Sequence, residues 1–413
     1  MRTPMPISNW PRAIALVDMN AFFASVEQLD FPQLREQPVA VTNGERGTCI
    51  ITSSYEARAQ GIRTGMRLRE ARKLCPGIVQ RPARPRRYAH VSTKIMGALA
   101  CITPDIEIFS VDEAFLDLTH MLPLQQRDPE WLAQMIQRQV WNASSLPCSV
   151  GLSGDKTTAK VAAKQKKPKG ITVVVPWQSA AFLAPLPVTD LCGINRGIGG
   201  WLEQRGVTTC GQMRQLPISE LARRFGNPGR RIWYMAQGLD PEPVITTVAD
   251  PKSVGHGKVM PPGTTDRRVV LTYLGHMTVK VAARLRHYEL EASLFFFGLR
   301  TDYGWLGTKV RTTPTNDSHI IYEACIEFLR DEWRGEGISQ IQVTALNPTQ
   351  MQIQPDLFAV EDNRKQLLNR TVDAINSKFG ALSIAPGILV QRSDMPDVIA
   401  PAWKPIGIRQ TIE

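Results

Sequence analysis

Three carboxylates stand where an acid is costly unless something compensates it. Asp18 closes the apolar run Ala-Ile-Ala-Leu-Val at 13–17, and Asp112 and Glu113 lie within Phe-Ser-Val-Asp-Glu-Ala-Phe at 109–115. An ionised acid among hydrophobics needs a cation or hydrogen-bond donors to offset its lost hydration. Three that converge raise one another's pKa, and a divalent ion held through oxygen relieves the repulsion. Two such ions, about 3.5–4 Å apart, activate an attacking 3′-hydroxyl and hold a triphosphate with its leaving group. A single Asp at a strand end is more often a helix cap than a ligand, so the weight rests on two sites with matching apolar flanks.

The chain between these acids must bring them together. Residues 13–17 read as a buried strand ending at Asp18, followed by a helical pattern from Phe22 to Gln28. Residues 106–111 and 114–118 read as two extended segments with the acids at the turn between them. Neighbouring strand residues point to opposite faces, so a turn or bulge must re-aim Asp112 or Glu113. Residues 146–151 form a further strand that leads into a lysine-rich helix over 156–167, which Pro168 and Gly170 terminate. Strands distant in sequence thereby deliver acids to one sheet edge.

Residues 185–225 read as short helices broken by Gly193, Gly197, Gly199, Gly200 and Gly206. From Ser253 onward strands alternate with two longer helices, near 270–287 and 316–335, as in an α+β module. The stretch 239–252, with Pro241, Pro243 and Pro251, reads as a linker. At 413 residues and 43% hydrophobic, the chain can fill three or four domain cores.

Its net charge of +11 favours a polyanionic partner and is unevenly spread. Residues 155–170 hold six Lys against one Asp, and 252–311 hold ten Lys/Arg against four acids, whereas 354–413 balance seven against seven. The seven cysteines show no CxxC or Cys/His spacing, so they read as buried thiols in a reducing compartment. No run approaches the roughly 18 apolar residues of a membrane span, and the N-terminus lacks a secretory pattern, so a cytoplasmic location is expected.

Four segments in this order resemble the Y family of translesion DNA polymerases over roughly residues 12–358: Val-Asp-Met-Asn-Ala-Phe-Phe-Ala-Ser-Val-Glu at 17–27, Ser-Tyr-Glu-Ala-Arg at 54–58, Ser-Val-Asp-Glu-Ala-Phe-Leu-Asp at 110–117, and 150–170 from Val-Gly-Leu-Ser to Lys-Pro-Lys-Gly. The resemblance implies an α+β multidomain, right-hand polymerase. A palm over 1–19 and 86–175, small fingers over 20–85, a helical thumb over 176–238 and an α+β little finger over 253–352 would precede a clamp-binding peptide and tail over 353–413.

It also implies that Asp18, Asp112, Glu113 and the Met19 carbonyl hold two Mg²⁺ ions, and that Tyr55, Arg58 and Lys167 contact the incoming triphosphate. Arg offers phosphate a planar fork and Lys a point charge on a long stem. Phe23 matches the steric gate that excludes ribonucleotides, with Phe22 packing beneath it. Asn20 departs from the polymerase IV branch, where many members carry a third acid, and brings the Asp-x-Asn-Ala form closer to the polymerase V catalytic subunit. Kinship to the two branches stays open.

Residues 188–206, with Cys-Gly-Ile-Asn at 192–195, resemble a helix-hairpin-helix in which Gly193 presents backbone N–H groups to a DNA phosphate. Asn195 replaces the second glycine, and Asn tolerates positive φ, so the turn is expected to persist. Lys252 and Ser253 open the module resembling the little finger, which would grip the DNA backbone. Gln354, Leu357 and Phe358 lie in Gln-Pro-Asp-Leu-Phe, which resembles the peptide that docks polymerases on the sliding clamp.

The implied partners are primer–template DNA, deoxynucleoside triphosphates and the clamp, with no membrane, the enzyme acting as a monomer and accessory subunits left open. A catalytically silent accessory protein of the same fold is the alternative, but it predicts loss of the three acids. A palm-like nucleotide cyclase would not explain Phe23, the hairpin or the clamp-like peptide.

Overall fold

A computed structural model describes residues 10–45, 47–121, 128–247, 250–351 and 363–392, in two compact units that divide near residue 248. In the first unit, β1 (Ile14–Met19) and α1 (Phe22–Asp30) lead into a small sheet of β2 (Val39–Thr42), β3 (Ile50–Ser53) and β4 (Val79–Pro82). Helices α2 (Tyr55–Ala59) and α3 (Leu68–Leu74) lie between its strands in sequence. The chain continues through α4 (Pro85–Ala100), β5 (Ile106–Ile108), β6 (Glu113–Asp117), α5 (Pro129–Ser144), β7 (Cys148–Ser153), α6 (Lys156–Gln165) and β8 (Ile171–Val173). Helices α7 (Ser179–Leu183), α8 (Arg196–Glu203) and α9 (Ile218–Met235) follow, around a separate core that includes Leu183, Leu202, Leu221 and Ile232.

The larger sheet has five strands in the order β5-β6-β1-β7-β8, with β1 at its centre. Both faces of β1 are covered, which is why its sequence is apolar without alternation. Ala15, Val17 and Met19 join a core with Phe22, Leu99 and Ile136, while Ile14 and Leu16 pack with Phe115 and with Ala159 and Ala163 of α6. Asp18 continues the even series, so the α6 face of the sheet ends in a carboxylate.

The segment read as a linker is fastened over its first half. The Arg12 guanidinium donates to the Glu242 carbonyl at 3.0 Å, and Arg231 grips Asp240 through two bonds of 2.9 and 3.0 Å. The Thr157 hydroxyl donates to Asp240 at 2.7 Å, and the Ile245 N–H donates to Glu107 at 2.8 Å. A proline-rich composition suggested a spacer, but Arg12, Thr157 and Glu107 hold it from far away in sequence.

The second unit comprises β9 (Ser253–Thr264), α10 (Arg267–His287), β10 (Leu290–Thr301), β11 (Gly304–Thr315), α11 (Ser318–Glu332), β12 (Ile338–Leu346), β13 (Thr349–Gln350) and α12 (Asn363–Phe379). Its main sheet runs β11-β10-β12-β9, each neighbouring pair antiparallel. One face buries Phe295, Phe297, Leu299, Ile341 and Val343 with residues of α10 and α11 such as Leu274 and Phe328. By alternation, the other face carries Arg300, Lys309 and Arg311, all exposed.

All seven cysteines are free, as expected, but Cys49, Cys101 and Cys192 are exposed rather than buried. Among the described residues no helix is long and apolar enough to cross a membrane.

Candidate active site

Backbone pairing brings the acids together. β1 and β6 run antiparallel in a register that sets Asp18 opposite Glu113 and Leu16 opposite Phe115, so both acids share the α6 face of the sheet. Asp112 precedes β6 in a tight turn in which the Phe109 and Ser110 N–H groups both donate to the Glu113 carbonyl, at 3.0 and 3.1 Å. The Met19 N–H donates to the Asp112 carbonyl at 2.9 Å, fastening that turn to the end of β1. This is the re-aiming that two adjacent acids required, and it makes the extended segment before it shorter than expected. The Ser110 hydroxyl donates to Asp112 Oδ1 at 2.6 Å and fixes that carboxylate's orientation.

Lysines answer the other two acids. Lys167 Nζ lies 2.5 Å from Asp18 Oδ1, and Lys160 Nζ lies 2.5 Å from Glu113 Oε2. The Lys160 ammonium also sits 4.2 Å from the centroid of the Phe109 ring. One turn earlier on α6, Lys156 is buried and pairs with Glu107 at 2.7 Å. Half of the lysine-rich run, read as favouring an external polyanion, is therefore engaged internally.

Burial raises the Asp18 carboxyl to about 7; the Lys167 charge opposes this, while Glu113 and Asp112 add to it. Asp112 is also raised, again chiefly by burial, with the Ser110 hydrogen bond opposing and Glu113 reinforcing. Carboxylates under such stress, each an oxygen donor, suit a hard divalent cation. Among the described residues no three Asp, Glu, His or Cys side chains form a ready cage.

Around the acids stand the residues expected to meet a nucleotide. Phe22 and Phe23 are both buried at the start of α1, which Ala21 opens in a left-handed conformation, φ 47° and ψ 45°. Phe23 stacks on Tyr88, centroids 4.2 Å apart and planes at 11°. The Tyr88 hydroxyl donates at 2.8 Å to Glu27, a fully buried carboxylate that also accepts from Arg81 and Arg84 at 3.1 and 2.7 Å.

Tyr55 heads α2 and its buried hydroxyl has no hydrogen-bond partner among the described residues. Burial raises its phenol, the Arg58 charge opposes the rise, and the Asp18 charge adds to it, so Tyr55 lies within electrostatic reach of the carboxylates. The exposed Arg58 guanidinium lies 5.0 Å from the Tyr55 centroid and donates to the Ser53 carbonyl at 3.1 Å. Asp18, Met19, Asp112, Glu113, Lys167, Tyr55 and Arg58 are thus linked by direct or electrostatic contact.

The hairpin departs from expectation. Gly193 takes the left-handed turn at φ 90°, but Asn195 is extended at φ −92° and ψ −175°. Its side chain caps α8, accepting the Gly197 and Ile198 N–H groups at 3.1 and 3.3 Å. Two of the helix-start donors that a phosphate would use are therefore already satisfied. Lys252 and Ser253 are exposed at the start of β9 in the second unit. Gln354, Leu357 and Phe358 lie outside the described residues.

Sequence reasoning missed Lys160, Glu27 and Tyr88. Lys156 and Lys160 flank Ala159, which faces the sheet, and that spacing was an available signal for inward lysines. Glu27 and Tyr88 are 61 residues apart, and no local pattern announces their contact.

Two family models match the chain: the impB/mucB/samB family at residues 17–164 and the impB/mucB/samB family C-terminal domain at residues 251–357. A DNA polymerase IV from Moorella thermoacetica is 35% identical over 381 residues, which cover 89% of this chain and 94% of the relative. A DNA polymerase IV from Desulfatibacillum aliphaticivorans is 33% identical over 384 residues, 91% of this chain and 96% of the relative. Among solved structures, a Y-family DNA polymerase chimera superposes with a TM-score of 0.71 at 25% identity, covering 82% of this chain and 99% of that one. Agreement across both units, at a fold built around paired strand-end carboxylates, makes this chain a member of the Y family of translesion DNA polymerases, a DNA-directed DNA polymerase.

Proposed function

We propose that the enzyme extends primers across damaged template positions by two-metal-ion nucleotidyl transfer, with Asp18, Asp112 and Glu113 holding two Mg²⁺ ions. The observation that supports this best is the β1–β6 register that sets Asp18 opposite Glu113 while Met19 fastens Asp112 beside them. Bound Mg²⁺ would supply charge neutralisation and polarisation at the reacting phosphate. Asp18 and Asp112 would hold both ions, Glu113 would complete the site, and the Met19 carbonyl would be a further ligand.

Tyr55 and Arg58 contact the triphosphate oxygens, and Lys167, paired with Asp18, reaches the same phosphates. Phe23, backed by Tyr88, lies under the sugar and leaves no room for a 2′-hydroxyl. Gly193, Lys252 and Ser253 hold the DNA backbone, where contact requires no base-reading side chains. Gln354, Leu357 and Phe358 dock on the sliding clamp, Gln anchoring the backbone and the apolar pair filling a pocket. Free thiols suit the reducing cytoplasm.

Primer extension on lesion-containing and undamaged templates tests the reading. We expect insertion opposite the lesion that requires added Mg²⁺ and stops with chelator; insertion that continues in chelator would refute the metal mechanism.

A further inference from the structure

Asn20 follows directly on β1, and its side-chain amide is engaged away from the three acids. It is 1% exposed. Its Nδ2 donates to the Ser149 hydroxyl at 2.9 Å, and its Oδ1 accepts the Lys169 N–H at 2.7 Å. The Lys169 carbonyl accepts from Gln137 Nε2 at 2.9 Å, and the same nitrogen reaches the Cys148 carbonyl at 2.9 Å. Residue 169 is therefore held on both sides, by β1 through Asn20 and by α5 through Gln137. Its φ of 61° is one a lysine keeps only when its surroundings hold it there. Two residues upstream, Lys167 places its ammonium on Asp18.

We propose that Asn20 is a positioning residue for nucleotide binding: it locks the 166–170 loop and thereby holds Lys167 where its ammonium meets both Asp18 and the triphosphate. The proposal rests on the reading of Lys167 as a phosphate contact. An aspartate at position 20 keeps an acceptor for the Lys169 N–H and can accept from the Ser149 hydroxyl in turn, so the lock requires an acceptor, not an amide. Lys167 has a long, flexible stem, and a loose loop would spread its ammonium over many positions.

Single-nucleotide insertion kinetics and primer–template affinity by fluorescence anisotropy test this on Asn20→Leu and Asn20→Asp, alone and combined with Lys167→Ala. Asn20→Leu is expected to raise KM for the nucleotide about tenfold, the scale of one or two buried hydrogen bonds. Its kcat should stay within about threefold and its DNA affinity should be unchanged. Asn20→Asp should restore KM to within about threefold, and Asn20→Leu should add less than about twofold in the Lys167→Ala background.

An equal rise of KM in both backgrounds would overturn the proposal, since the effect would not pass through Lys167. A fall in kcat with unchanged KM would overturn it too, marking a packing role. If Lys167→Ala alone leaves KM unchanged, the phosphate reading of Lys167 falls and takes the proposal with it, a result independent of the Asn20 variants.

Discussion

Asp18 is the residue on which the site's electrostatics turn. Its carboxyl is raised from 3.8 to about 7 by burial and by the neighbouring acids. Between those values the folded chain holds a proton that the unfolded chain has released, so rising pH removes stability through this window, and the loss is complete above about 7. Urea unfolding of wild type and Asp18→Asn at pH 5 and pH 8 measures it. The wild type should lose on the order of 2 kcal/mol relative to the variant on going to pH 8; a difference independent of pH would contradict the shift. The acids themselves were legible because carboxylates between apolar residues need a reason. Lys160 and the partners of Asn20 were not, because a lysine's sequence context does not tell which distant acid it meets.

At the scale of elements, α1 works through its first turn. Ala21 in the left-handed region swings the chain from β1 into the helix, and Phe23 then packs flat on Tyr88 of α4. The pairing of Glu27 with Arg81, Arg84 and Tyr88 ties α1 to β4 and α4, so Phe23 rests on a braced surface. Phe23→Ala should therefore raise ribonucleotide insertion relative to deoxyribonucleotide by roughly 10²-fold, the discrimination a shaped pocket supplies. Selectivity left as in wild type, measured as the ratio of kcat/KM values, would move the gate elsewhere.

The strand–acid–helix order around Asp18 was readable from periodicity. The brace was not, because its members come from three segments joined only by the fold. Asn195 taught the opposite lesson: its type suggested positive φ, but a helix start offers Asn a capping role, and the cap won.

For the whole molecule, charge and architecture were readable at low resolution and misleading in detail. The excess of +11 suggested two basic regions for nucleic acid. In the first, Lys156, Lys160 and Lys167 face internal acids, while in the second Arg300, Lys309 and Arg311 lie on the exposed sheet face. The succession of strand-rich and helical stretches was visible in the sequence, and the division near 248 falls within the stretch read as a linker, but that stretch does not start free at 239, since Asp240 and Ile245 are held by Arg231, Thr157 and Glu107.

The proposed docking on a sliding clamp belongs to the scale of the full chain. Replacing Leu357 and Phe358 by Ala should remove stimulation by the clamp and leave clamp-independent extension within about twofold, because an apolar anchor pair carries most of such a contact; stimulation that survives would place docking elsewhere.

The most direct measurement is the single-turnover rate of nucleotide insertion by Asp112→Ala, alongside its primer–template affinity. A metal ligand predicts a fall of at least about 10³-fold in rate, with affinity within about threefold of wild type. A rate near that of the wild type would contradict the assignment of the carboxylates.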